Sequence, residues 1–254
     1  EMADEILGHL HNIPGGADIF LTTDTEEKMQ AIQLAFGAWN KGNVRSRITP
    51  NRGRDIAPKL LAFPEAYGHY DYVLHVHSKA SPHRGELRNW RQFLYTNLLG
   101  SEAIVSGIIE CFEQMPTLGM AGPQHLDYLR PWIGWGRNRA VADDLAGRLG
   151  VDLKRVAEID FISGSMFWAR PQALAPILDL GLSFDDFPEE SLQEDETLAH
   201  AVERLYLVAC EMAGYGWIKT AHPPLYSERS VRHQIGSPSE LRETIAATSV
   251  RLLG

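Results

Sequence analysis

The stretch VRSRITPNRGRDIAPKLLAFPEAY (Val44–Tyr67) reads as a strand, a polar loop and a helix in succession. The strand is predicted at Val44–Ile48 and the helix at Ile56–Tyr67, and the loop between them contains Asn51–Asp55 (NRGRD). A strand that passes through a short loop into a helix is the repeating unit of α/β domains. This stretch therefore predicts an α/β fold, in which ligands bind where the strands end.

The rest of the chain repeats this alternation. Further strands are predicted at residues 17–22, 71–77, 118–121 and 161–168. Helices are predicted at residues 2–11, 26–39, 140–149 and 197–212, with others up to residue 111 and one that begins at Pro171. This order favours a mostly parallel, Rossmann-type central sheet flanked by helices, with the motif-bearing loops on one edge. Because doubly wound nucleotide-binding domains usually begin with a strand, and this chain opens in a helix, we expect a first strand before residue 1.

The composition excludes several classes of protein. Hydrophobic residues make up 44% of the 254 residues and charged residues 22%, which is typical of globular chains. The formal net charge of −9 argues against a general nucleic-acid-binding protein, but it allows a local basic pocket. Two cysteines do not make a disulfide scaffold, and no apolar run reaches the ~20 residues that span a bilayer. We therefore expect a protein of a reducing compartment such as the cytoplasm.

The loop Asn51–Asp55 is a candidate anion-binding segment. Its glycine permits a tight turn or a close approach to a ligand, and arginines such as Arg54 suit bidentate contact with phosphate. Asp55 would hold an arginine or a sugar hydroxyl. The alternative is a solvated turn in which Asp55 stands near a helix N-cap.

The run His75–Lys79 (HVHSK) ends a predicted strand and enters a loop. Alternation places His75 and His77 on one face of the strand, and Ser78 and Lys79 would then meet a diphosphate. The two histidines could ligate a divalent metal, but no third ligand is visible nearby. The alternative is that His75 is a hydrogen-bonded core histidine followed by polar loop residues.

The segment Phe161–Pro171 (FISGSMFWARP) is an apolar strand interrupted by Gly164 and Ser165. A glycine inside a strand predicts a bulge or a close backbone approach. Trp168 would offer its ring to a sugar face. The alternative is that Trp168 belongs to the core of the sheet.

Asp195 stands just before the predicted helix 197–212 and is the candidate general base. The helix dipole would keep it ionised, as a base must be. His200, Glu203 and Arg204 lie within a few turns of it, opposite the apolar stripe of the helix. The alternative is that Asp195 only caps the helix and that the other three belong to its solvated face.

Together these segments resemble the rhamnan synthesis protein F family of bacterial surface-polysaccharide biosynthesis. The resemblance rests on NRGRDIAP (51–58), YDYVLHVHSKAS (70–81), WR (90–91), LLGS (98–101), GMAGP (119–123), GSMFWARP (164–171) and ETLAHAVERL (196–205). The family pattern has Asp-Gly-Thr where this chain has Asp195-Glu196-Thr197. His75-Val76-His77 stands where many GT-A glycosyltransferases carry a metal-binding Asp-x-Asp.

The resemblance implies a GT-A-like glycosyltransferase that forms a single domain over residues 1–254 and is one module of a longer protein. Its nucleotide-sugar half would cover about residues 1–125 and its acceptor half about residues 126–254. Asp195 would take the proton of the acceptor hydroxyl, and the single candidate base slightly favours inversion. The residues expected at the donor are Asn51, Arg54, Asp55, His77, Ser78 and Lys79. Those expected at the acceptor or the sugar are Gly164, Ser165, Trp168, His200, Glu203 and Arg204.

The same resemblance implies a cytoplasmic protein, with any attachment to the inner membrane made through its partners. The partners are a nucleotide-sugar donor, with dTDP-rhamnose as one candidate, a free or lipid-linked glycan acceptor, and other glycosyltransferase modules, but no nucleic acid. No metal ligand is assigned, and a requirement for Mg²⁺ or Mn²⁺ stays open. Two other functions stay open as well: a non-catalytic carbohydrate-binding or scaffolding module, and a metal-dependent hydrolase that uses His75, His77 and Asp195.

Overall fold

A computed structural model describes residues 2–78, 89–156, 159–190 and 195–225, with single positions or pairs at 237, 239–240, 242–243 and 252. The α-helices in these residues are α1 (Met2–Leu10), α2 (Glu26–Phe36), α3 (Ile56–Leu61), α4 (Trp90–Leu99), α5 (Glu102–Gln114), α6 (Arg139–Arg148), α7 (Pro171–Leu178) and α8 (Leu198–Met212). The strands are β1 (Ile19–Thr23), β2 (Val44–Ile48), β3 (Val73–His75), β4 (Leu118–Pro123), β5 (Phe167–Ala169) and β6 (Gly216–Thr220).

The strands form two sheets. In the first, β1 and β2 pair in parallel. The second is a central sheet of order β3-β5-β4-β6, in which β4 and β6 are parallel and β5 runs antiparallel to both β3 and β4. The predicted α/β class is confirmed, but the central sheet is mixed and not mostly parallel. The reason is that the chain leaves β4 at one edge and returns to that edge before β5, where His125 contacts Ser163, so β5 must run back.

The central sheet is covered by helices on both faces. Phe167 and Ala169 of β5 pack into a cluster with α6, α7 and α8. Met166 and Trp168, which alternate with them, pack into a second cluster with α1, α4 and α5. Successive side chains of a strand point to opposite faces, so this short strand links the two cores of a three-layer domain.

Several predicted elements keep their place but change their bounds. Helix α7 begins at Pro171, as predicted. The predicted helix 56–67 divides into α3 and a 3₁₀ turn at Pro64–Gly68, because a proline cannot donate the backbone bond that would continue α3. The predicted strand 161–168 shortens to β5, because the backbone N–H of Ser165 closes a turn on the carbonyl of Ile162, 3.0 Å away. The sequence reading did not include β6.

Each helix of the described residues is too short or too polar to cross a lipid bilayer.

Candidate functional site

Four of the sequence motifs converge at one edge of the central sheet. His75 at the end of β3 pairs with Phe167 at the start of β5, and Ala121 near the end of β4 pairs with Trp168. The residues after β3, the residues after β4 and the turn before β5 therefore share this edge. The start of α3 and the polar side of α8 reach the same place through the contacts described next.

The turn before β5 is held by side chains from three other segments. The backbone N–H of Gly164 donates to Oε1 of Glu203 on α8, over 2.8 Å. Nε2 of His77 lies 2.7 Å from the carbonyl oxygen of Gly164, so this nitrogen carries the proton, because a carbonyl can only accept. Nζ of Lys59 on α3 donates to the carbonyl of Ser165 over 2.6 Å. A motif predicted to approach a ligand is thus also the centre of a polar network.

The backbone of this turn takes a conformation that most residues avoid. Gly164 has φ +89°, and Ser165, which is buried, has φ +54°. A Cβ on Gly164 would lie 2.7 Å from Cδ1 of Leu94 and 3.1 Å from Cζ2 of Trp90. Both the backbone angle and the lack of space require glycine at position 164.

Lys59 has a buried side chain and was not among the site residues predicted from the sequence. Its Nζ lies 3.2 Å from Oδ2 of Asp55 and packs over the rings of Phe167 and Tyr206. Burial lowers the pKa of Lys59, and the charges of Asp55 and Glu203 oppose that shift. Asp55 stands at the N-cap position of α3, but its side chain makes no capping bond. Its carboxylate serves the cation instead, 3.8 Å from Nε2 of His77.

The loop Asn51–Asp55 is tied to the segment 187–190. The backbone N–H of Arg54 donates to Oε1 of Glu190 over 3.0 Å, and Nε of Arg54 lies 3.8 Å from Oε2 of the same carboxylate. The carbonyl of Asn51 accepts from the N–H of Glu190 over 3.3 Å. The guanidinium of Arg52 pairs with Glu189 over 3.0 Å. Among the described contacts of this loop, those of Asp55 reach the network around the turn.

The two histidines of the HVHSK run have different environments. His75 is buried, its Nε2 lies 3.1 Å from the hydroxyl of Tyr67, and burial lowers its pKa well below the usual range. His75 is therefore a hydrogen-bonded core histidine, as the alternative prediction stated. It is not available as a metal ligand of the hydrolase that the sequence left open. Ser78 is exposed, and its carbonyl accepts from Arg91 over 3.3 Å. Lys79 lies outside the described residues, and within those residues no three His, Cys, Asp or Glu side chains are arranged to hold a metal ion.

Asp195 does not cap α8, because the N-cap residue is Thr197. Its Oδ1 accepts from the side-chain amide of Asn138, and its Oδ2 accepts from the N–H of Arg137 over 3.4 Å. A terminal nitrogen of Arg204 lies 3.9 Å from Oδ1. Partial burial raises the pKa of Asp195, but the Asn138 bond and the Arg204 charge outweigh it, so the net pKa lies below its ordinary value. Asp195 is ionised and held in place, as a positioned base would be.

Three residues predicted to face the acceptor or the sugar are buried. Trp168 is only 5% exposed and its indole N–H donates to a backbone carbonyl of α4, so the sugar-platform prediction is wrong. Strand alternation explains this, since it directs the ring into the core. His200 is buried with its Nδ1 2.8 Å from Oγ1 of Thr197. Arg204 is buried and donates through Nε to the carbonyl of Gly134 over 3.0 Å.

Glu196 takes a glycine-like conformation. Its φ is +68°, and it occupies the position at which the family pattern has glycine. The backbone N–H of Glu196 donates to Oδ1 of Asn138 over 2.9 Å, and its carboxylate lies 3.4 Å from Nε of Arg137. Asn138 therefore binds both Asp195 and Glu196 and holds this turn.

A second polar cluster lies beside the turn, and the sequence reading did not assemble it. His125 places Nδ1 2.9 Å from Oγ of Ser163 and Nε2 2.8 Å from Oδ1 of Asp160. Nζ of Lys219 on β6 bonds to the same oxygen of Asp160 and to the carbonyl of Phe161. Burial lowers the pKa of Lys219 to about 8, although the charge of Asp160 opposes the shift. Ser163 precedes Gly164 in the chain, so this cluster and the turn are continuous.

Comparison with known proteins gives a family but no solved relative. The family model described as rhamnan synthesis protein F matches residues 1–215. Two relatives, each called "Uncharacterized protein WxcX" and found in two strains of Xanthomonas campestris pv. campestris (B100 and ATCC 33913), are 34% identical over 219 residues. The match covers 85% of this chain and 30% of each relative, so the chain spans less than a third of their length. No solved structure matches.

Proposed function

Because the chain belongs to the rhamnan synthesis protein F family, we propose that it is a GT-A-like glycosyltransferase domain that extends a bacterial surface polysaccharide. Membership of the family associates the chain with the synthesis of rhamnan-type polysaccharide. The finer proposal is that a nucleotide-activated sugar is the donor and a hydroxyl of the growing glycan is the acceptor. The family name makes rhamnose, carried as dTDP-rhamnose, the first donor to test.

The observation that carries this proposal is the convergence at the sheet edge. His77, Gly164 and Glu203 come from three separate motifs and meet through hydrogen bonds of 2.7 and 2.8 Å. In α/β sheets with ligands, the binding crevice lies outside the ends of the strands. A polar, hydrogen-bonded edge of this kind suits a ligand that has both a diphosphate and a sugar.

The proposed reaction uses Asp195 and the residues assigned to the donor. The acceptor oxygen forms a bond to the anomeric carbon, the bond from that carbon to the diphosphate oxygen breaks, and Asp195 takes the proton of the acceptor hydroxyl. The transition state is oxocarbenium-like, by analogy with glycoside hydrolysis. The negative charge that develops on the diphosphate needs donors, and we assign Arg54, His77, Ser78 and Lys79 to it. Asn51 and Asp55 would position the donor beside them, and attack by one face-specific base favours inversion.

The test is ligand binding followed by turnover. dTDP should raise the melting temperature of the protein, since a ligand that binds only the folded state stabilises it, and the measurement is repeated with Mn²⁺ to decide metal dependence. Transfer is then measured from dTDP-rhamnose to a rhamnan oligosaccharide. Arg54→Ala should weaken dTDP binding, whereas Arg45→Ala, an exposed arginine on β2, should not. A protein that binds rhamnan but neither binds dTDP nor transfers sugar would be a carbohydrate-binding module instead.

A further inference from the structure

We propose that Asp160, together with the exposed rings of Tyr128 and Trp132, forms a binding subsite for the glycan acceptor. The inference rests on the proposed function for the choice of glycan, and the residues that support it lie outside those assigned above to the transfer reaction. The subsite would bind the sugar units of the acceptor chain beside the turn that precedes β5.

The cluster around His125 holds a carboxylate at the surface. Asp160 accepts on its Oδ1 from the N–H of Phe161 over 2.7 Å and from Lys219, and Nε2 of His125 lies 2.8 Å from the same oxygen. Within the described residues its hydrogen bonds all go to this oxygen, which leaves Oδ2 to accept from a ligand. The side chain of Asp160 is 33% exposed, whereas that of Lys219 is 6% exposed.

The stability of the fold does not account for this arrangement of charged and polar groups. Burying a lysine and a histidine to support one surface carboxylate contributes little to stability, because desolvation offsets the attraction between the charges. The same arrangement fixes the direction of Oδ2. Partial burial raises the pKa of Asp160, but the hydrogen bond with His125 and the charge of Lys219 outweigh it, so the net pKa lies below its ordinary value and the group stays an acceptor. A fixed, ionised acceptor forms a strong hydrogen bond with a sugar hydroxyl.

The aromatic part of the subsite lies on the next turn of the chain. Tyr128 and Trp132 are 40% and 69% exposed on the 3₁₀ segment Asp127–Trp132, which begins two residues after His125. Two residues after Trp132, the carbonyl of Gly134 accepts from Nε of Arg204 on α8 over 3.0 Å. The segment that carries the two rings therefore begins beside His125, whose Nε2 lies 2.8 Å from Asp160, and leads to Arg204.

The chemistry of this surface fits a carbohydrate. An exposed ring packs against the apolar C–H face of a sugar, and a carboxylate accepts from its hydroxyls. A protein partner would need a broader apolar patch, but the segment that carries the two rings also carries an ion pair between Asp127 and Arg130, at 2.9 Å. Ser163, which bonds to His125, is the residue before Gly164, so a glycan bound here would end at the transfer site.

The test measures oligosaccharide binding by calorimetry, with rhamnan-derived oligosaccharides as the probe and dTDP as a second, independent ligand. Trp132→Ala should weaken oligosaccharide affinity about tenfold or more, because a tryptophan that becomes buried on binding is a frequent hot spot. Trp132→Phe should restore most of it. Asp160→Asn should cost about tenfold through loss of a charge-assisted bond. Leu34→Ala, an exposed apolar residue on α2, is the matched control, and dTDP affinity should be the same in all four variants.

The outcomes separate this subsite from the proposed function. Unchanged oligosaccharide affinity in Trp132→Ala overturns the subsite, and so does a wild-type protein that binds no rhamnan oligosaccharide at millimolar concentration. If the wild type transfers sugar and Trp132→Ala keeps the same acceptor KM, the subsite is wrong and the function stands. If the wild type binds the oligosaccharide through Trp132 but neither binds dTDP nor transfers sugar, the function is wrong and the subsite stands.

Discussion

Replacing Asp195 with asparagine distinguishes a general base from a residue that only holds its loop in place through hydrogen bonds. The carboxylate binds the side chain of Asn138 and the N–H of Arg137, and the amide that replaces it would keep an acceptor oxygen for the first of these bonds. A bond to an ionised group is worth about 1.5–3 kcal/mol and a neutral one about 0.5–1.5 kcal/mol, so the loss of charge costs about 1 kcal/mol of stability. In a chain of this size that cost lowers the melting temperature by about 2–4 °C.

The effect on transfer should be far larger if Asp195 is the base. Loss of a general base slows reaction by about 10²–10⁴-fold, which is about 3–5 kcal/mol in the activation barrier. The assay is steady-state transfer from dTDP-rhamnose, with dTDP affinity measured in parallel and expected to stay near that of the wild type. The pKa of Asp195 lies below its ordinary value of 3.8, so the carboxylate is protonated only in acid. We therefore expect kcat/KM to decrease only when the pH is lowered below about 4.

Asn138→Ala is the matched control for this experiment. This substitution removes the side-chain hydrogen bond from Asn138 to Asp195 and keeps the carboxylate of Asp195. If Asp195 is the base, Asn138→Ala should lose stability comparable to that of Asp195→Asn and yet retain much more transfer. Equal losses of transfer in the two variants would show that Asp195 acts only by holding the loop, and a near wild-type rate in Asp195→Asn would refute the assignment directly.

Three further predictions follow from named contacts. Gly164→Ala should cost about 1–3 kcal/mol of stability, seen as a lower melting temperature by calorimetry, because the new Cβ meets Leu94 at 2.7 Å and the backbone has φ +89°; an unchanged melting temperature would contradict it. The free energy of unfolding should rise by about 1–3 kcal/mol from pH 8 to pH 10, because the unfolded chain still binds the proton that folded Lys219 releases near its pKa of about 8. Urea titrations should show a larger rise in the wild type than in Lys219→Met, which keeps the contribution of Lys59, and equal slopes would count against it. Arg54→Ala should weaken nucleoside diphosphate binding about tenfold more than nucleoside binding, whereas equal losses by calorimetry would assign Arg54 to the fold.

The sequence predicted the parts of the fold that depend on local pattern. The apolar stripe of α8 and the proline that starts α7 are visible in a few residues of sequence, and both are confirmed. The direction of β5 was not predictable in this way, since the alternation of Phe167 and Trp168 is the same in a parallel and an antiparallel strand. Its direction is set by where the chain returns to the sheet.

In the candidate site, too, contacts between residues close in sequence were predictable and long-range contacts were not. Lys59 follows Asp55 by four residues on a predicted helix, a spacing that brings two side chains together, so local pattern could have found this pair. The contact between Asn138 and Asp195 joins residues 57 positions apart in the chain, and no local signal indicates it. The cluster of His125 and Lys219 was equally invisible, because it depends on the pairing of β4 with a strand that the sequence did not reveal.

The turn before β5 has a consequence for how substitutions combine. Lys59, His77 and Glu203 each bind a backbone group of the same two residues, Gly164 and Ser165. Residues that share one rigid partner are energetically coupled, so the cost of removing two of them should differ from the sum of the single costs. Natural variation at these three positions is therefore expected to be correlated, with each residue tolerated only in the context of the others.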